Sequence, residues 1–200
     1  MKLLALTLYR HKEESPPEVS AHYELSSFSF FHRGAMKEHI KFHSRVIVAR
    51  TAVGMRQSVE FEQGIGKCHV FVHPSGLACA VLADGEYPMR VAFQLVSEVI
   101  RVFMEKHSGT WQTVTTDTQL EFPEGDEFLQ KFQNPAEADK ITKIEKELDQ
   151  VKDIVIKSMD DILKRGESLD ALMQKSNDLS TTSYQFYRTA KKNNQCCKLY

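Results

Sequence analysis

Two adjacent cysteines, Cys196 and Cys197, carry the plainest chemistry in this chain of 200 residues. Cys197 is fourth from the end, in Cys197-Lys198-Leu199-Tyr200, and fits the C-a-a-X pattern for thioether attachment of a prenyl chain. Cys196 beside it is a natural second acylation site. Lys198 is not aliphatic and Tyr200 is an unusual final residue, so farnesyl and geranylgeranyl both stay open. No apolar run of about 18 to 20 residues, enough to span a bilayer, occurs in the chain. Met1 to Leu8 lacks the cleavage region of a signal peptide. The expectation is a cytosolic protein that reaches a membrane through its tail. The other cysteines, Cys68 and Cys79, sit in apolar stretches and read as reduced core thiols.

Other constellations that could do chemistry fall short. Gly64-Ile65-Gly66-Lys67-Cys68 lacks the spacing of a phosphate-binding loop, and has cysteine where the magnesium-binding hydroxyl belongs. His39 and His43 have the i, i+4 spacing of a helical metal pair, but no intervening glutamate and no evident third ligand. They read as exposed helix histidines, so no metal and no cofactor is expected. Lys and Arg number 26 against 27 Asp and Glu, which leaves no basic excess to neutralise phosphates and argues against nucleic acid. A catalytic centre is not expected, and the protein does not read as an enzyme.

The elements that must position these groups fall into two parts, divided near Gln133-Asn134-Pro135. The first, residues 1–133, changes pattern every ten to twenty residues. Leu4 to Tyr9 predicts a strand, followed by a polar loop from His11 to Pro17. Ser26 to Phe31 is aromatic-rich. Met36 to Ala49 follows the helical period through Met36, Ile40 and Ile47, with Phe42 and Val46 flanking. Ser58 to Phe61 and Cys68 to Val72 predict strands. The turn His73-Pro74-Ser75-Gly76 makes a hairpin with Leu77 to Ala83. Pro88 opens a helix striped by Ala92, Leu95, Val96, Val99 and Phe103, and a short helix spans Asp126 to Phe132. Hairpin strands with helices laid on their faces make an α+β domain.

The second part, residues 137–196, has one pattern. Steps of three and four from Ile141 meet fifteen positions as far as Ala190, and eleven are apolar. That is a sustained heptad repeat, and it predicts a long coiled-coil helix that needs partner helices or a groove on the N-terminal domain. Arg165 interrupts the seam. A buried guanidinium without partners costs several kcal/mol, so it either fixes register against a matching array or bends out to water at Arg165-Gly166.

These residues resemble the R-SNAREs, whose coiled-coil segment carries one arginine at a central ionic layer. Ile162, Leu169 and Leu172 match apolar layers around Arg165. Ser176, Leu179, Ser183, Phe186 and Ala190 match the layers beyond. Ser26 to Phe31 and Glu86 to Phe93 look like stretches of a longin domain. Its profilin-like fold is an antiparallel sheet with helices on both faces. Gln133 to Asp139 looks like the junction. With the tail 196–200, the whole chain resembles the lipid-anchored, longin-type R-SNAREs of the Ykt family. The resemblance implies pairing with three glutamine-layer helices in a parallel four-helix bundle, Arg165 bonding the glutamines. It implies prenyl on Cys197, reversible palmitoyl on Cys196, and a closed state in which the segment and lipid cover the longin domain. Phe42 is the candidate residue of that groove. Cytosolic and peripheral membrane residence, in endoplasmic reticulum–Golgi and endosomal or vacuolar traffic, follows from the resemblance as well. Arg188, Lys191 and Lys192 precede the tail and favour an anionic leaflet, at about 1 kcal/mol each near the surface. A lipid-anchored tether without fusion activity would share the heptads and the tail, but has no reason to place an arginine in the seam.

Overall fold

The structure, a computed structural model, describes residues 1–61, 65–141 and 154–196. Seam positions Ile144, Leu148 and Val151, with Gly64 and Cys197, lie outside the described residues. The strands are β1 (Leu3–Arg10), β2 (Glu18–Tyr23), β3 (Arg56–Glu60), β4 (Lys67–Val72), β5 (Leu77–Ala83) and β6 (Val155–Ser158). The helices are α1 (Phe30–Ala49), α2 (Met89–Lys106), α3 (Glu124–Lys131), α4 (Pro135–Ile141), α5 (Leu169–Lys175) and α6 (Thr181–Cys196).

The strands form one six-stranded sheet in the order β2-β1-β5-β4-β3-β6. Neighbours from β2 to β3 pair antiparallel, with Leu6 opposite Val81 and Val70 opposite Ala80. The sheet is nevertheless mixed, because β6 adds to β3 in parallel, Gln57 opposite Val155. Alternation splits the strand side chains between two cores. Leu6, Leu8, Val81 and Cys79 face α2 and α3; Ala5, Tyr9, Val70 and Cys68 face α1. Helices therefore lie on both faces. Cys68 and Cys79 are free, buried thiols, and burial pushes Cys68 up to about 12.

β2 was not foreseen. Glu18-Val19-Ser20-Ala21-His22-Tyr23 has only one strongly apolar residue, and its buried polar groups are satisfied by neighbours. His22 Nδ1 lies 3.0 Å from Asp126 Oδ1, and Ser20 Oγ 3.1 Å from His22 Nε2. α3 approaches so closely here that a Cβ on Gly125 would stand 2.3 Å from the His22 ring. The N-terminal domain is tied shut by Gln133, whose side chain accepts from Leu3 N at 3.2 Å and donates to Leu3 O at 2.8 Å.

The greatest departure is in the heptad region. Residues 154–196 are not one helix: they form β6, a 3-10 turn at Asp160–Ile162, α5 and α6. Local turn and cap geometry explains the breaks as far as α5. Ser158 N and Oγ both donate to Asp161 Oδ2 at 2.8 Å, turning the chain out of β6. Gly166 takes φ +85, a left-handed conformation costly for other residues. Ser168 Oγ accepts from Ala171 N at 3.2 Å and starts α5.

Candidate functional site: the surface under the C-terminal segment

Helix α1 presents two kinds of surface to residues 154–196. The first is apolar. Ile162, Leu169, Met159, Met173 and Tyr187 are buried in the same core as Met36, Ile40, Phe42 and Phe61, with Leu172 and Leu179 half-buried against it. Phe186 is half-buried between His32 and His39, with ring centroids 4.9 and 6.4 Å away. Of the candidate layer residues, Ile162 and Leu169 are thus buried, and Leu172, Leu179, Phe186 and Ala190 partly so. Arg165 is not brought to them. It is exposed at the turn beside Gly166.

His39 and His43 are not exposed helix histidines: each is only 5% exposed. The 3-4 spacing that suggested a metal pair places them under α6 instead. His39 Nε2 lies 2.9 Å from the Ser183 carbonyl, so this nitrogen carries the proton. Burial lowers the His39 pKa from its ordinary value, against the opposing bond to Ser183 and the field of Glu38. No group of side chains able to hold a metal ion occurs among the described residues. A small apolar cavity of about 30 Å³, lined by Met36, His39, Ile40, His43, Phe61, Ile65, Phe186 and Tyr187, separates α1 from α6. Phe42 does not line it. Phe42 is 3% exposed and borders a different, larger cleft with Leu172, Arg45 and Asp178.

The second surface is ionic. Arg45, from the C-terminal part of α1, donates from Nη1 and Nη2 to Asp117 at 3.0 and 2.6 Å. Its Nη2 also donates to Asp178 Oδ1 at 3.1 Å, and its Nε lies 2.7 Å from Asp178 Oδ2. Lys41 Nζ sits 2.8 Å from Asp117 and 3.4 Å from Glu18. Burial opposes ionisation of Asp117, yet the bonds from Arg45 and Lys41 hold it well below the usual carboxylate range. Burial raises Asp178 despite the pull of Arg45. At the end of α1, Arg50 Nη2 donates to both oxygens of Glu167 at 3.1 Å. Ser180 N donates to Glu38 Oε2 at 2.7 Å, closing the start of α6 onto α1.

Sequence reasoning misread His39 as exposed and missed Arg45, Arg50 and Asp178, because contacts across more than a hundred residues leave no periodic trace. The Ser158-x-x-Asp161 and Ser168 caps and Gly166 were legible signals of a broken helix. The backbone of Cys196 is the last residue of α6. Among the described residues, no helix is long and apolar enough to cross a membrane.

Comparison with known proteins agrees with this layout. Residues 25–129 match the longin family, described as a regulated-SNARE-like domain, and residues 140–199 match synaptobrevin. The synaptobrevin homolog ykt6 of Schizosaccharomyces pombe is 38% identical, over 98% of each chain. The VAMP-like protein YKT61 of Arabidopsis thaliana is 39% identical over the full length of both. The putative synaptobrevin homolog YKT6 of Dictyostelium discoideum is 41% identical over 98% of each. A sheet layered between helices, a synaptobrevin segment after it and full-length identity to these relatives have one reading: the chain belongs to the longin-bearing SNAREs of the Ykt6 type, a non-enzymatic family of synaptobrevin homologues.

Proposed function

We propose that the protein is an R-SNARE whose C-terminal segment exchanges between two mutually exclusive partners. In one state it covers α1 of its own longin domain. In the other it zips with three glutamine-layer helices into a parallel bundle that drives vesicle docking and fusion, in endoplasmic reticulum–Golgi and endosomal or vacuolar transport. One observation carries the reading. Ile162, Leu169, Leu172, Leu179 and Phe186, the apolar layers a bundle needs, are the residues set against α1, while Arg165 stands in water. Apolar burial at roughly 25 cal/mol per Å² is available to either partner, but not to both at once. Docking therefore restrains pairing.

Membrane attachment in this reading is by prenyl on Cys197 and palmitoyl on Cys196. One lipid chain gives marginal, reversible binding and two give stable anchoring, so acylation sets residence on the cytosolic face.

Phe42 supports the docked state because it borders the cleft beneath α5, beside Leu172. Phe42→Glu places a charge there. The expected result is a larger gel-filtration radius and faster pairing with glutamine-layer helices, with the longin domain melting near its parent temperature. An unchanged radius, or a collapsed melting curve, contradicts this role for Phe42. The tether alternative predicts self-association and no recovery of glutamine-layer helices in pull-downs.

A further inference from the structure

Phe30 and Phe31 begin α1 in full solvent, 77% and 89% exposed, with their rings edge-to-face at 5.9 Å. Most other phenylalanines are buried or half-buried, so this pair is an apolar patch that the fold leaves uncovered. Its surroundings are cationic. The first turn of α1 contains no acidic residue. Positions 30, 33, 34 and 37 share one face of the helix by the 3.6-residue period, which puts Arg33 and exposed Lys37 in line with Phe30. Arg33 donates from Nε and Nη2 to the Phe28 and Ser26 carbonyls at 3.1 Å. Glu24 is the acidic group of that loop, bonded to Ser26 N at 3.1 Å and within the field of Arg33.

The direction of α6 supplies the second argument. It starts where Ser180 meets Glu38, passes His39 at Ser183, and reaches His32 at Phe186. It thus runs toward the start of α1. From Phe186 to Cys196 it continues for about 15 Å at 1.5 Å per residue. Exposed Arg188 and Lys192 lie on that stretch. The end of α6, the basic residues and the aromatic pair accordingly share one end of the molecule.

We propose that Phe30 and Phe31 form a membrane-docking wedge that inserts into an anionic leaflet, with Arg33, Lys37, Arg188 and Lys192 facing the lipid phosphates. Apolar aromatics flanked by cations bind the headgroup–acyl boundary by combined apolar burial and attraction to anionic lipid. The wedge acts without opening the docked segment, because α6 leaves both rings exposed. Recruitment to the membrane thus precedes release of the SNARE segment. The proposal goes beyond the SNARE reading and takes from it only the idea that the tail faces a bilayer.

The test is co-sedimentation of the full chain with phosphatidylcholine–phosphatidylserine vesicles and with pure phosphatidylcholine vesicles. Parent and Phe30→Ser/Phe31→Ser are compared, each with the native tail and in a Cys196→Ser/Cys197→Ser background that cannot be lipidated. The expected result is a loss of about tenfold in partition onto the anionic vesicles in both backgrounds, with unchanged melting. Lys37→Gln/Lys192→Gln should weaken binding only to the anionic vesicles. Equal partition of parent and Phe30→Ser/Phe31→Ser overturns the proposal. So does a parent that sediments as a dimer, with a monomeric variant and unaltered vesicle binding, since a second copy then covers the patch. Failure of lipidation would show separately, as identical behaviour of native and serine tails.

Discussion

His39 shows how one residue can set a threshold for the whole segment. Its ring packs against Phe186 and Tyr187 and donates to Ser183, and its burial favours the neutral form in the docked state. A base whose pKa is lowered by docking binds fewer protons docked than free. The stabilisation is therefore complete above the free value of about 6.5 and is lost as pH falls below it toward the lowered value. Asp178 has the opposite sign. Its raised pKa makes docking take up a proton, and this acts only nearer the ordinary carboxylate range. Lowering pH from 7.5 to about 5.5 should thus reduce the protection of the α6 amides relative to their intrinsic, base-catalysed exchange rates, and His39→Gln should flatten that dependence. Protection factors in α6 that ignore pH in the parent would refute the assignment. Cys68 and Cys79, with pKa values driven up by burial, stay inert over the same range.

Among the elements, the short run around Gly166 decides whether the C-terminal segment is a helix. Gly166 holds φ +85 with open space around a hypothetical Cβ, so only backbone strain opposes a side chain there. Gly166→Ala penalises the docked turn and favours continuous helix by about 1 kcal/mol on each side. We expect it to shift the segment toward the undocked state, read as a rise in helical circular dichroism and faster bundle assembly. A variant that docks as tightly as the parent would show that the turn contributes no switch. The heptad pattern was visible in the sequence, and so was the glycine. Periodicity describes the helix that a partner would stabilise; capping by Ser158 and Ser168 describes the one formed without it. β2 was missed for a related reason. Its strand identity comes from the β1 ladder and from Gln119 and Asp117 side chains bonding its backbone, not from its own apolar pattern.

At the scale of the molecule, the docked arrangement and the proposed bundle would use the same apolar side chains but treat Arg165 differently. It is exposed when docked and would be central in a bundle. Arg165→Ala should leave the melting temperature and the exchange of the free chain within about 0.5 kcal/mol of the parent. It should weaken a purified four-helix bundle by about 3 kcal/mol, the cost of removing one partner from a buried polar layer. Equal bundle stability would remove Arg165 from the layer. Sequence alone determined the α+β domain, the apolar seam, the arginine within it and the paired cysteines, because these follow from local periodicity and residue chemistry. Only the tertiary structure decided where the seam goes. Arg45–Asp178, Arg50–Glu167, His39–Ser183 and the β3–β6 ladder join residues far apart in the chain. Such contacts form only once α1 and the sheet are folded, and they compete with the continuous helix that the heptads alone describe.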